Sequence, residues 1–340
     1  MKRLRNRIHT VLTAATMAAI VLSALLFPLG SNALAKDVPG NPLPEPIPET
    51  INIDYALGNF LSLALRDNRL LENEFRNDDV KFNWILSQGG NKSMEFLLSG
   101  SVDFAFGAGV AGIVSYINGN PIRAIYLLNT QQGDLFVRKD RGIDKLSDLK
   151  GKTIAVTPNT NPYIFVLRSM EKAGLGKKDV TIVPLQHHDG MAALLRGDVD
   201  AWSGGERLNA AVRADGSAKS IFKNPEFFTP IFLYVRNEFY KQYPHTVLRV
   251  ISSYEKARDW AKQHPDEFLN LVARENKLTA AETNILIDDY NIETGRITDA
   301  HMNSMYGIGN SLKLYGIIDR DLDFNKKVDE LVDRSLYGKL

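Results

Sequence analysis

The chain has 340 residues, with 41 basic against 40 acidic side chains, a formal net charge of +1, and no cysteine. Balanced charge leaves no nucleic-acid footprint, and the missing cysteines exclude disulfides, thiolate metal centres and cysteine nucleophiles. The length suits about two domains of ~150 residues, each able to bury a sizeable core.

The first segment reads as an export signal. Lys2, Arg3, Arg5 and Arg7 precede an apolar, alanine-rich run over 11–29, and Ala33-Leu34-Ala35 places small residues at a cleavage site. Residues 1–35 are expected to be removed, leaving a chain that starts at Lys36. An uncleaved anchor is the competing reading, because the run is near membrane-spanning length. Pro39, Pro42, Pro44, Pro46 and Pro48 then enforce an extended linker over 36–50.

Residues 51–55 alternate apolar and polar side chains and predict a first strand. Leu57-Gly58-Asn59 turns into a helix carrying Leu61, Leu65 and Leu70. Val80, Phe82, Trp84 and Leu86 alternate as a second strand, followed by the turn Gln88-Gly89-Gly90-Asn91 and a short helix over 92–98. A third strand over 102–106 ends at Gly107-Ala108-Gly109, which opens a helix over 110–117, and 122–128 is a fourth strand. Residues 131–138 are expected to cross to a second lobe.

Within 151–202 the pattern is strand, turn, helix, strand, loop, helix, strand. Thr153, Ile154, Ala155 and Val156 form a β-rich run ended by Pro158. Asn161 is expected to cap a helix with Pro162 in its first turn; Ile164, Leu167 and Met170 recur at helical spacing, and Gly174 closes it. A strand over 180–185, a helix over 191–195 and a strand over 198–202 follow. Strands alternating with helices imply parallel pairing and an α/β class. In such sheets ligands sit beyond the strand C-termini, where helix N-termini offer free N–H groups.

Gly100-Ser101-Val102-Asp103-Phe104 and Gly197-Asp198-Val199-Asp200-Ala201 echo each other, which suggests two lobes of similar build. An apolar, aromatic run over 228–235 is expected to carry the chain back. Two crossings make a hinge. The remainder reads as helices over 244–263, 265–276, 280–289, 300–315 and 325–337. The expected organisation is therefore 51–133 as the first part of lobe one, 134–230 as lobe two, and 231–340 as the helical second part of lobe one.

Gly151-Lys152-Thr153-Ile154-Ala155-Val156, then Leu167-Arg168-Ser169-Met170-Glu171-Lys172-Ala173-Gly174-Leu175, then Gly197-Asp198-Val199-Asp200-Ala201-Trp202 resemble, in that order, the solute-binding proteins of ABC importers for aliphatic sulfonates, taurine and nitrate. Met94-Glu95-Phe96-Leu97-Leu98-Ser99-Gly100-Ser101-Val102-Asp103, the lead-in Lys145-Leu146-Ser147-Asp148-Leu149-Lys150, the junction Trp260-Ala261-Lys262-Gln263-His264-Pro265 and Gly316-Ile317-Ile318 extend the resemblance over nearly the whole mature chain. It implies a type II periplasmic binding protein fold, each lobe a mostly parallel sheet flanked by helices. It also implies a monomer without cofactor or metal, which captures a small solute and delivers it to permease and ATPase subunits. Gram-positive members of that family are usually lipidated on a cysteine; with none here, a Gram-negative periplasm is implied.

Four turns are expected to line one cleft. They supply Asn59 and Phe60; Gly107 and Ala108; Thr157, Asn159, Thr160 and Asn161; and Ser203 and Glu206, with Gln88 nearby. Their amides, hydroxyls and backbone N–H groups suit an oxyanion. Sulfonate binders usually carry an acidic or polar residue, Thr and Pro where Ala108-Gly109-Val110-Ala111 stands, and a Trp-Asp-Pro-like run where Ser203-Gly204-Gly205-Glu206 stands. Both changes remove bulk, and Glu206 adds a carboxylate that a zwitterionic ligand could pair.

Other constellations carry less. His187-His188-Asp189 is read as a structural or solvated loop, since adjacent histidines seldom face one ion. Gly107-Ala108-Gly109-Val110-Ala111-Gly112 spells G-x-G-x-x-G, but no acidic residue closes a second strand ~20 residues on, so the glycines are read as letting backbone N–H groups approach an anion. No Gly-x-Ser-x-Gly elbow is present. The alternatives are an enzyme on the same fold, with desulfinase and pyrimidine-synthase relatives that use cysteines this chain lacks, or a sensory binding protein without a transport partner.

Overall fold

The computed structural model describes residues 46–340 except Phe228 and Asp289, and omits the side chains of Glu206, Pro225, Ile285, Ile287 and Asp288. The expected signal over 1–35 and most of the proline-rich linker lie outside the described residues.

The chain runs β1 (Thr50–Ala56), α1 (Phe60–Asp67), α2 (Leu70–Glu74), β2 (Lys81–Ser87), α3 (Gly90–Leu98), β3 (Phe104–Ala108), α4 (Gly109–Ile117) and β4 (Ile122–Gln131). It continues through β5 (Asp134–Arg138), β6 (Thr153–Val156), α5 (Asn161–Lys172), β7 (Thr181–Pro184), α6 (His187–Arg196), β8 (Ala201–Trp202), α7 (Glu206–Asp215) and β9 (Ala218–Lys223). It returns through β10 (Thr229–Arg236) to α8 (Asn237–Gln242), α9 (Pro244–Gln263), α10 (Pro265–Asn276), α11 (Ala280–Asp288), α12 (Asp299–Gly307), α13 (Gly309–Leu314) and α14 (Phe324–Leu331).

Among the described residues the strands form two five-stranded sheets, ordered β2-β1-β3-β10-β4 and β7-β6-β8-β5-β9. In the first, β1 pairs in parallel with β2 and β3, and β10 runs antiparallel to β3 and β4. The second repeats the plan: β6 is parallel to β7 and β8, and β5 is antiparallel to β8 and β9. The antiparallel member in each case enters from the other sheet, which reverses its direction.

The echoed Gly-x-Val-Asp stretches have a physical meaning. Asp103 accepts from the backbone N–H of Asn52 at 2.9 Å and from its side chain at 3.2 Å, tying down β1. Asp200 accepts from the Thr153 N–H and hydroxyl, each at 2.9 Å, and ties down β6. Each valine is buried beside its aspartate. The same clamp thus anchors the first parallel strand of both lobes. The expected strand over 198–202 is shorter, Ala201–Trp202.

Val247, Val250, Ile251, Tyr254 and Ala257 of α9 are buried at helical spacing, and α9 packs on α1 and α2. Arg258 on the same helix is fully buried and donates to the carbonyls of Leu127 (2.6 Å), Leu128 (3.0 Å) and Ile292 (2.8 Å). The helix expected to carry Leu61, Leu65 and Leu70 is split, with Leu70 opening α2, and two expected helices near the end of the chain also differ. The run over 300–315 breaks at Ile308, next to Gly309, where a Cβ would fall 2.6 Å from the Phe324 ring. The helix expected over 325–337 stops at Leu331 because Val332 becomes extended and bridges Ala124, with Asp333 N–H donating to the Ala124 carbonyl at 2.9 Å. Among the described residues no helix is long and apolar enough to cross a membrane.

Candidate functional site

A cleft of ≈ 710 Å³ opens between the two sheets, and its lining is built from helix beginnings together with the strand residues Leu86, Ser87, Phe106, Gln131 and Ile231. Gly58 and Phe60 precede and start α1, Gly90, Asn91 and Lys92 start α3, and Ala108 precedes α4. From the second lobe come Asn161 and Pro162 of α5, His187, His188 and Asp189 of α6, and Gly205 and Arg207 at α7. Asn59 caps α1 by accepting from the Ser62 N–H at 3.3 Å. Among the described residues α3, α4, α5, α6 and α7 carry no side-chain cap bond. Their first N–H groups, at the positive ends of the helix dipoles, are thus left without a side-chain acceptor.

The two walls differ in character. Leu57, Phe60, Leu86, Phe106 and Ile231 give the first lobe an apolar surface, on which Leu86 is 49% exposed. The second lobe presents Asn159, Thr160, Asn161, Gln186, His187, His188, Asp189 and Arg207. Asn159 sits at φ 58°, a left-handed conformation that asparagine tolerates.

The cap of α5 is Thr160, one residue before the expected Asn161. The Thr160 hydroxyl donates back to the Thr157 carbonyl at 2.6 Å and so leaves the helix N–H groups alone. Asn161 is then free to donate to the Gln131 side chain at 3.0 Å, joining α5 to the end of β4.

Arg207 donates to Nε2 of His188 at 2.6 Å, which fixes His188 as the tautomer protonated on Nδ1. Burial, then the charge of Arg207, pushes His188 below the ordinary histidine value, against the opposing pull of Asp189. Burial, then His188, pushes His187 down to about 4. Both imidazoles are neutral at neutral pH, so Arg207 and Lys92 are the cationic side chains of the described lining. Beneath the apolar wall, Asp54 is fully buried and accepts from the Ser87 hydroxyl at 2.7 Å and the Phe106 N–H at 3.1 Å. Burial raises its carboxyl to about 7, partly offset by bonds from Ser87, Ser93 and Phe106.

Of the residues expected at the site, Phe60, Gln88, Ala108, Asn159, Thr160 and Asn161 line the cleft. Asn59, Gly107, Thr157 and Ser203 do not. The Asn59 side-chain oxygen is taken up by its cap, and the Thr157 hydroxyl donates to the Leu185 carbonyl at 2.9 Å. Ser203 is fully buried behind the wall. Glu206 begins α7, and its side chain lies outside the described residues.

The glycine triplet corrects the anion-approach reading. A Cβ on Gly107 would lie 2.9 Å from Met94, on Gly109 2.3 Å from the Met305 sulfur, and on Gly112 2.2 Å from the Tyr234 hydroxyl. The spacing is a packing device. His187, His188 and Asp189 are a second correction, since they form the first turn of α6 on the cleft and not a loop. They follow a strand directly, the same signal that marked the other turns. Among the described residues no cluster of His, Asp or Glu could hold a metal.

Two mixed sheets joined by two crossings, with helix N-termini converging on the gap, define the periplasmic-binding-protein fold. The chain belongs to the NMT1/THI5-like family, whose description matches residues 75–268. A Bacillus subtilis (strain 168) protein named "Putative aliphatic sulfonates-binding protein" is 29% identical over 215 residues, 62% of this chain and 64% of that one. The chain thus spans less than two thirds of that relative's length. The alkanesulfonate-binding protein SsuA of Xanthomonas axonopodis pv. citri bound to MOPS superposes with a TM-score of 0.74 at 20% identity, covering 86% of this chain and 100% of that one. The desulfurization enzyme DSZB shares the fold at a TM-score of 0.64 and 15% identity, covering 86% and 98%.

Proposed function

We propose that the chain is the substrate-binding component of an ABC importer, which captures a small anionic or zwitterionic solute in its cleft and delivers it to a permease. The observation that carries this reading is the convergence of uncapped helix N-termini from both lobes on one cleft that also holds Lys92 and Arg207. Contacts made from both walls at once would favour a closed form about the segments between β4 and β5 and between β9 and β10. The named function of the Bacillus relative supports the same solute class, and an exported, periplasmic protein fits the basic and apolar start of the chain. The reading assigns binding and no turnover to the cleft.

A thermal-shift screen over sulfonates, nitrate, phosphonates, amines and pyrimidines tests it. A ligand of the native state raises the midpoint by mass action. At least one solute is expected to do so at micromolar levels and to be recovered unchanged after incubation. A screen without any shift, or chemical conversion of the bound compound, would overturn the reading.

A further inference from the structure

We propose that a contact behind the hinge holds the lobes apart: the far end of α5 docks on α13, and closing the cleft has to break that contact. This rests on the hinged, solute-binding reading above and adds what sets its resting state.

The observations run along one face of α5, at spacings of three and four residues. Asn161 starts the helix on the cleft and donates to Gln131 at the end of β4 at 3.0 Å. One turn on, the Phe165 ring packs against Gly133 in the first crossing and leaves no room for a Cβ there. The same ring meets Phe227 of the second crossing edge to face, with centroids 6.3 Å apart. Arg168 lies over the Phe227 ring at 4.0 Å. Its guanidinium also abuts Gly307, the last residue of α12, where a Cβ would fall 3.6 Å from Nη2. Past both crossings the Glu171 carboxylate accepts from the Ser311 hydroxyl of α13 at 2.6 Å. The Leu175 carbonyl accepts from the Tyr315 hydroxyl at 3.2 Å.

The two partners of this rear contact are fixed to different lobes. α5 lies between β6 and β7 of the second sheet. α13 is tied to the first lobe, because Gly309 sits against Phe324 of α14 and α14 packs on α4 and β4. Ser311 and Tyr315 are buried, so their hydroxyls are committed to a covered interface.

The arrangement is a lever. Asn161 and Glu171 are about 15 Å apart at 1.5 Å rise per residue, and both crossings pass between them. A rotation that swings the start of α5 toward the first lobe carries its far end away from α13. Closure therefore gives up the bonds of Ser311 and Tyr315. A solute shifts the lobes only by its differential affinity for the closed form, so the rear contact lowers the affinity of every solute by one common factor.

The test reads the lobes without any solute. The chain has no cysteine, so Ser99→Cys at the end of α3 and Arg196→Cys at the end of α6, both exposed, carry one spin label on each lobe. Pulsed electron paramagnetic resonance then gives the distribution of distances between them. In this background Ser311→Ala and Tyr315→Phe are each expected to raise the closed-to-open ratio about fivefold, and the double variant about twentyfold. The gain appears as growth of the shorter distances. A cooperative urea transition confirms that the variants fold, and a loss of stability alone would not move the label distances. Unchanged distances in the folded double variant, or a shift to longer ones, would overturn the inference. Because no solute is present, either result stands apart from the outcome of the thermal-shift screen.

Discussion

Replacing Asp54 with asparagine tests the floor of the cleft. The carboxyl is fully buried, with the Ser87 hydroxyl and Phe106 N–H as donors, and burial raises it from 3.8 to about 7. Between these values the native state keeps a proton that the unfolded chain has lost. Unfolding then releases a proton, so stability falls as pH rises from about 4 to about 7 and is flat outside that window. Roughly three pKa units at ~1.4 kcal/mol each make this contribution about 4 kcal/mol. Asparagine keeps the shape and cannot titrate. In urea unfolding at a series of pH values, the stability of Asp54→Asn minus that of the parent should therefore grow by roughly 3–4 kcal/mol from pH 4 to pH 8. Other titrating groups are shared and cancel in the difference. A difference curve that stays flat across that range would refute the assignment of a proton to Asp54 near neutrality.

Two further substitutions probe packing and buried polarity. Gly112→Ala places a methyl 2.2 Å from the Tyr234 hydroxyl and breaks its bond to the Ala108 carbonyl. It should cost about 1–3 kcal/mol in urea unfolding, and an unchanged midpoint would return the glycine triplet to a ligand role. Arg258→Met leaves the carbonyls of Leu127, Leu128 and Ile292 without their donor. A loss of about 3 kcal/mol or more is expected in the same assay, and a neutral result would show that water replaces the guanidinium at no cost.

Much of the fold was legible because its elements are periodic. β1, β2 and α9 announce themselves by alternation or by apolar residues three and four apart, and the Gly-x-Val-Asp echo pointed to two lobes before any pairing was known. Elements whose limits depend on distant partners were not. Nothing local to Val332 says that Ala124 will draw it out of a helix, and the break at Ile308 depends on Phe324 reaching Gly309. At the cleft, Phe60, Gln88, Ala108 and Asn159–Asn161 were accessible to the rule that ligands meet helix starts. His187–Asp189 escaped it because the apolar period of α6 begins only at Met191, so a polar first turn looks like a loop. Asp54 was hidden more deeply. An acidic residue in an alternating strand reads as solvent-facing, and its burial depends on Ser87 and Phe106 from neighbouring strands. Arg207 follows Glu206 in the sequence, but its pairing with His188 joins turns that only the folded sheet brings together.

The order of strands also bears on how the chain assembles. β4 and β10 are direct neighbours, with Gln131 opposite Thr229, and β5 and β9 are neighbours too, with Asp134 opposite Lys223. The whole second lobe is therefore an excursion of roughly a hundred residues between paired positions, and pairing β4 with β10 first would require closing that entire loop. Once β5 and β9 are joined, the same pairing needs only short connections at 132–133 and 224–228. The strand order therefore lowers the loop-closure cost of completing that edge wherever the second lobe has already formed.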